Sequence, residues 1–121
     1  MESLKKFEDI TADQIAAWKS AKRKVSQVDI PVNEDDAAGN GPLASYVICQ
    51  PERNVLDAAA KYAQEKNFRK ANEVLKKNCI LGGDMKYIET ESSEFNMEIE
   101  LAVLDEIGKL VESKKVAVKK L

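Results

Sequence analysis

The segment KANEVLKKNCILGGD, Lys70–Asp84, decides how the middle of this chain is interpreted, because it begins with a helical pattern and ends in two glycines and an aspartate. A helix that runs through Ile80 needs a residue with positive φ just beyond its end, and glycine adopts that conformation without steric cost. A phosphate-binding loop has the reverse order, with glycines that lead into a helix. A metal site needs more ligands than the single carboxylate of Asp84. We therefore predict that Gly82 and Gly83 end a helix.

A helical hairpin over residues 51–81 is predicted to contain this helix. Pro51 suits the first turn of a helix, where its missing N–H does no harm. Asn67 can end the first helix of the hairpin and cap the second. One face of the second helix has the spacing i, i+3, i+4, i+7 and i+11, which predicts that it is buried. Its members are Phe68, Ala71, Asn72, Leu75 and Cys79.

The first part of the chain predicts a helix over residues 12–24. Thr11 and Gln14 have the spacing of a capping box at its start. Basic residues end it, where the helix dipole favours them. That cluster admits two interpretations, a solvated helix end or a nucleic-acid patch, and the net charge of −2 argues against the second. The cluster consists of Lys19, Lys22, Arg23 and Lys24.

Two strands are predicted next, over about residues 25–32 and 44–49, paired antiparallel across a loop at 33–42. Pro31 cannot donate a backbone hydrogen bond, so the first strand is expected at an edge of the sheet. Alternation puts three apolar side chains on one face of that strand. They are Val28, Ile30 and Val32.

The last segment predicts the longest helix, over residues 93–120. Two apolar stripes run along its middle, which predicts that several neighbours bury it. Ile99, Val103, Ile107 and Leu110 form one stripe, and Met97, Leu101 and Leu104 form the other. The end of this helix admits two interpretations, a surface that docks on a partner or a basic helix end that complements the dipole.

The composition bounds the function. The chain has 121 residues, which is enough for one domain, and no histidine. The lack of histidine removes Ser-His-Asp and Cys-His catalysis and the usual zinc sites, so we expect no enzyme, cofactor or metal. Cys49 and Cys79 lie in apolar runs and are predicted to be buried, reduced thiols. The sequence has no apolar leader and no membrane-spanning stretch, which favours a cytoplasmic protein.

Together these elements predict a single α+β domain that is predominantly α-helical. It is expected to contain about four helices and a small antiparallel β element of two strands. The remaining titratable side chains are carboxylates, lysines and tyrosines, which are also the residues of an ordinary surface. The sequence therefore favours a protein that binds other proteins over one that performs chemistry.

Residues 46–84 as a whole resemble small tail-assembly proteins of tailed phages and prophages, of the tail assembly chaperone type, and residues 10–30 resemble their leading helix and strand. In that family an extended stretch runs into a helix start marked by proline and arginine, and a helical pair ends in an asparagine–cysteine pair. The residues that carry the resemblance are Pro51, Arg53, Asn72, Glu73, Leu75, Asn78, Cys79, Gly82, Gly83 and Asp84.

The resemblance implies a non-enzymatic chaperone that binds tape-measure or tail-tube subunits through apolar helical surfaces. A structural virion component, such as a tail accessory or head–tail connector, is the alternative, and a homo-oligomer is left open. For Asn72 and Asn78, local hydrogen bonds at the helix border are the alternative interpretation, and the sequence favours it. The candidate partner-binding residues are Arg53, Asn72, Asn78, Asp84, Leu110, Val118 and Leu121.

Overall fold

The computed structural model describes residues 5–33 and 41–111. They form α1 (Ala12–Ala21), β1 (Ser26–Pro31), β2 (Leu43–Ile48), α2 (Arg53–Gln64), α3 (Phe68–Cys79), β3 (Ile80–Gly83) and α4 (Met97–Lys109). The predicted α+β class is confirmed, with three strands rather than two. Within these ranges no helix is long and apolar enough to cross a membrane.

The third strand overturns the prediction that Gly82 and Gly83 end a helix. The last residue of α3 is already Cys79, and the chain continues in extended conformation. β3 pairs antiparallel with β2, with Gly83 opposite Tyr46. Gly83 has φ +144°, and a Cβ atom there would lie 2.5 Å from the carbonyl oxygen of Ser45. Glycine is therefore required at this position by the close approach of two strands.

The sheet order β1-β2-β3 puts β1 at an edge, as Pro31 predicts. β1 pairs with β2 antiparallel, from Ser26 opposite Ile48 to Pro31 opposite Leu43. The predicted alternation is confirmed, since Val28 and Ile30 of β1, and Val32 just beyond its end, pack against the core.

Helices lie on both faces of the sheet. On one face, the buried side chain of Trp18 in α1 lies over Gly82. A Cβ atom placed on Gly82 would be only 3.3 Å from the indole ring. On the other face, α4 packs against β1 and β2. The core on that side is formed mainly by Tyr46, Ile48, Ile80, Ile99, Val103 and Ile107.

The predicted capping box at the start of α1 is present. The hydroxyl oxygen of Thr11 accepts a hydrogen bond from the backbone N–H of Gln14 at 3.2 Å, and the Thr11 N–H donates to the Gln14 side chain at 2.8 Å. The helix ends at Ala21 rather than at 24. At Lys24 the backbone has a positive φ of 51°, which a continuing α-helix does not allow.

The helical hairpin forms, with α2 beginning at Arg53 rather than at Pro51. The side chain of Asn67 caps α3 as predicted, accepting from the backbone N–H of Lys70 at 3.3 Å. Most of the predicted buried face of α3 is turned inward. Phe68 is the exception, with 62% of its surface exposed, because it is the first residue of α3 and lies beside the hairpin turn.

The last helix begins at Met97 and not at Ser93, since the side chain of Asn96 caps it. One predicted stripe is buried at Ile99, Val103 and Ile107. In the second stripe Leu104 is half-buried against the core, but Met97 and Leu101 are exposed, because α4 packs with only one face. Residues 112–121 lie outside the described residues, and they include the candidates Val118 and Leu121.

Candidate protein-interaction surface

Two large apolar side chains stand exposed on α4. Met97 is 63% exposed and Leu101 is 52% exposed. Their i, i+4 spacing makes them neighbours on the helix surface, and we call this pair the α4 stripe. The sequence singled out both residues as apolar but predicted them to be buried. Exposure of this kind on a rigid helix offers a partner an apolar contact in a fixed geometry.

Both ends of α4 are held in place, so the stripe is presented on an ordered element. At the first turn, the Asn96 side chain accepts from the N–H groups of Glu98 at 3.0 Å and Ile99 at 3.3 Å. At the other end, the ammonium group of Lys24 donates to the carbonyl oxygen of Leu110 at 2.9 Å. A cation at a helix C-terminus stabilises the unsatisfied carbonyls there.

A buried ion pair fastens the middle of α3 to α4. The Nζ atom of Lys76 lies 2.6 Å from the carboxylate of Glu100, 2.8 Å from that of Glu73 and 2.9 Å from the carbonyl oxygen of Ile88. An ammonium group has three hydrogens, so these three acceptors satisfy it. Sequence reasoning missed this cluster, although each buried charge interrupts an apolar helix face. Its saturated geometry indicates a structural role.

Asp84 joins three parts of the fold. One carboxylate oxygen accepts from the N–H of Phe7 at 3.1 Å, and the other accepts from the N–H of Ser45 at 3.0 Å. The backbone carbonyl of Asp84 accepts from the hydroxyl group of Tyr46 at 2.8 Å. The proposed partner-binding residue is thus engaged in holding the N-terminal segment to the sheet.

The other predicted site residues are scattered. Asn78 is exposed and donates its side-chain N–H to the carbonyl oxygen of Val74 at 2.8 Å. This is a local hydrogen bond of the kind that the alternative interpretation of Asn78 predicts. Asn72 is half-buried on α3, one turn before Lys76. Arg53 is exposed at the first turn of α2, and Leu110 is half-buried at the end of α4. The structure therefore does not bring these residues together into one site.

The basic residues at the end of α1 are partly engaged within the fold. Lys22 lies 3.7 Å from the carboxylate of Glu52 at the start of α2. Lys24 binds the end of α4, as described above. Two of the four cations thus interact with other elements of the chain, which favours the interpretation as a helix end over that as a nucleic-acid patch.

The two thiols meet at the junction of β2 and β3. Cys49 and Cys79 are buried and free, and the N–H of Cys49 donates to the carbonyl oxygen of Cys79 at 2.9 Å. A hydrogen bond between the thiols, together with burial, raises the pKa of Cys79 far above its ordinary range. Since the thiolate is the reactive form, Cys79 is an unreactive core residue.

A groove of about 980 Å³ runs beside α3. Its charged lining is mixed in sign, with Lys5, Lys70 and Lys77 near Glu73 and Glu89. Such mixed charge does not select an anion or a cation. Across residues 5–33 and 41–111, no group of three cysteine, aspartate or glutamate side chains is placed to hold a metal ion.

The chain matches no protein-family model, and no curated protein or solved structure is significantly similar to it. The function of the α4 stripe must therefore be inferred from the residues of this chain alone.

Proposed function

We propose that this chain is a non-enzymatic protein-binding factor of the tail assembly chaperone type, which binds tape-measure or tail-tube subunits in the bacterial cytoplasm. The observation that carries the proposal is the exposure of Met97 and Leu101 on an ordered helix. The sequence resemblance adds the class of partner. An apolar helix of the partner, which would aggregate by itself, fits this contact.

The size of the α4 stripe favours reversible binding. Because Met97 and Leu101 are 63% and 52% exposed, burying the rest of their surface contributes on the order of 2–3 kcal/mol. Association itself costs at least about 4 kcal/mol in lost freedom. The stripe alone is therefore too small for a permanent complex, and neighbouring contacts are needed to bind at all. A carrier that must later release its subunit needs such weak, reversible binding.

The buried polar groups are engaged inside the fold and are not placed to act in catalysis. Lys76 forms a buried ion pair with Glu100, and the Asp84 carboxylate accepts from two backbone N–H groups. A general acid or base needs a free position toward a substrate, and each of these groups is committed to holding two elements of the fold together.

Co-expression tests the proposal. The chain is produced together with tape-measure and tail-tube candidates from the same genome, and the soluble fraction of each candidate is measured. We expect the wild type to keep one candidate soluble and the double variant Met97→Gln with Leu101→Gln to lose that effect. Asp57→Gln is the control, since it alters an exposed polar position on another helix, α2. Equal solubility with and without the chain, for every candidate, would contradict the proposal.

A further inference from the structure

The outer edge of β1 presents backbone groups that have no partner strand among the described residues. The N–H of Val32 donates to the carbonyl oxygen of Pro42 at 3.1 Å, which fixes the alternation of the β1–β2 ladder. Hydrogen-bonded pairs therefore occur at Ser26, Val28 and Ile30. The backbone groups of the intervening residues point away from β2. These residues are Gln27, Asp29 and Pro31.

Side chains at this edge differ between the two faces of the strand. On the core side, Val28 and Ile30 are only half-buried, although they pack against the core. On the opposite side, Gln27 and Asp29 are exposed, and the Gln27 amide donates to the Asp29 carboxylate at 3.0 Å. An added strand would bury Val28 and Ile30 further on the core side and would contact Gln27 and Asp29 on the other side. An edge of this kind is a template for strand pairing.

We propose that this edge pairs with the same edge of a second copy of the chain, antiparallel about a twofold axis at Val28. In this register each Gln27 lies opposite Asp29 of the second copy. The outward N–H and C=O groups of these residues then form four inter-strand hydrogen bonds. The two Val28 side chains meet as a close, non-hydrogen-bonded pair on the core side. The result is one six-stranded sheet.

The chemistry of the edge selects this register. A twofold axis at Asp29 would put two carboxylates opposite one another and would place Pro31, which has no N–H, opposite Gln27. An axis at Gln27 would align only the first residues of β1, which begins at Ser26. Only the register at Val28 sets an amide opposite a carboxylate twice. This self-complementarity is the reason to choose a second copy over an unrelated strand.

The dimer is independent of the function proposed above, and it is tested by sedimentation equilibrium of the full chain. An interface of two single edges is small, so a weak complex is expected and the measurement extends to about 500 µM. Gln27→Lys places a cation opposite Asp29 of the second copy, and Gln27→Glu places an anion there. We expect the first to tighten the dimer and the second to weaken it, each by about tenfold, because the pair occurs twice.

Gln27→Pro removes an outward N–H without removing a bond to β2, and Gln27→Ala is its control. We expect the proline variant to be monomeric and the alanine variant to dimerise, with circular dichroism showing that both are folded. If the proline variant does not fold, the proposal is tested by the opposite changes in dimer affinity that are expected for Gln27→Lys and Gln27→Glu. A wild type that stays monomeric at all concentrations overturns the proposal, because the edge then does not pair with a second copy. Lysine and glutamate variants of equal dimer affinity overturn it too.

Discussion

The ammonium nitrogen of Lys76 lies 2.6 Å from a carboxylate oxygen of Glu100, and both side chains are buried between α3 and α4. The pair joins the helical hairpin to the helix that carries the α4 stripe. Removing one member would leave the other charge buried without its main partner, which is far less favourable than exposing it to water.

We expect Lys76→Ala to lower the free energy of unfolding by about 3–5 kcal/mol, because Glu100 would remain buried. The double variant Lys76→Met with Glu100→Leu should lie close to the wild type, since it removes both charges and keeps the volume. Lys109→Ala is the surface control and should have no measurable effect, because its ion pairs with Asp105 and Glu106 are exposed. Urea unfolding measures all three, and a double variant as unstable as Lys76→Ala would contradict this account.

Asp84 should be the residue that keeps the N-terminal segment on the sheet. Asp84→Ala removes two hydrogen bonds from backbone N–H groups to a carboxylate, so we expect a loss of about 3 kcal/mol. Hydrogen exchange should speed up first at the amides of Phe7 and Ser45. Asp57→Ala, at an exposed position of α2, is the control. Unchanged exchange at Phe7 in the Asp84 variant would show that the segment is held by other contacts.

Alanine at two glycines should have opposite effects. Gly83→Ala would push a Cβ atom into the Ser45 carbonyl oxygen at a φ that alanine rarely adopts, so we expect a loss of at least about 3 kcal/mol. Gly108→Ala should raise stability by about 0.5–1 kcal/mol, because a Cβ atom there meets nothing within 4 Å beyond the backbone of its own helix, and alanine favours a helix. Thermal melts compare the two. A Gly83→Ala variant as stable as the wild type would contradict the close approach of the two strands at Gly83, and a destabilised Gly108→Ala variant would contradict the free space at Gly108.

Alkaline pH should destabilise the fold. Burial, followed by the nearby charge of Asp84, raises the pKa of Tyr46 above its ordinary value of about 10. Above that ordinary value the unfolded chain loses this proton while the folded chain keeps it. The stability contributed by the buried phenol is therefore complete below pH of about 10 and falls above it, by up to about 1.4 kcal/mol per pH unit.

Urea unfolding between pH 8 and 11 tests this sign. Tyr46→Phe should be less stable than the wild type at pH 8, because it loses the hydrogen bond to the carbonyl oxygen of Asp84, but should lose less stability as the pH rises. Tyr62→Phe, on α2, is the control and should follow the wild type. The same pH slope in all three proteins would mean that Tyr46 does not titrate differently on unfolding.

Features that depend on neighbours in sequence were predictable. The capping box of Thr11 and Gln14 and the cap at Asn67 involve residues three positions apart, so spacing alone defines them. The place of β1 at the edge followed from Pro31, which lacks a donor wherever the strand lies.

Features that depend on distant residues were missed. Gly82 and Gly83 have the local chemistry of a helix end, and only their pairing with Tyr46 and Val47 makes them a strand. The start of α4 was placed too early because Ser93 and Asn96 are both good caps, and packing of the helix selects between them. Exposure of Met97 and Leu101 could not be predicted either, because an apolar stripe does not indicate how many neighbours cover it.

The central claim is that the α4 stripe binds a partner protein, and titration calorimetry with the tape-measure or tail-tube subunit kept soluble in co-expression tests it most directly. Leu101 has 52% of its surface left for a partner to bury, so loss of this contact weakens binding by about 1 kcal/mol and Leu101→Gln should raise the dissociation constant about fivefold. Asp57→Gln, on α2, should leave it within about twofold. Equal affinities for the wild type and Leu101→Gln, with both proteins folded, would contradict the claim.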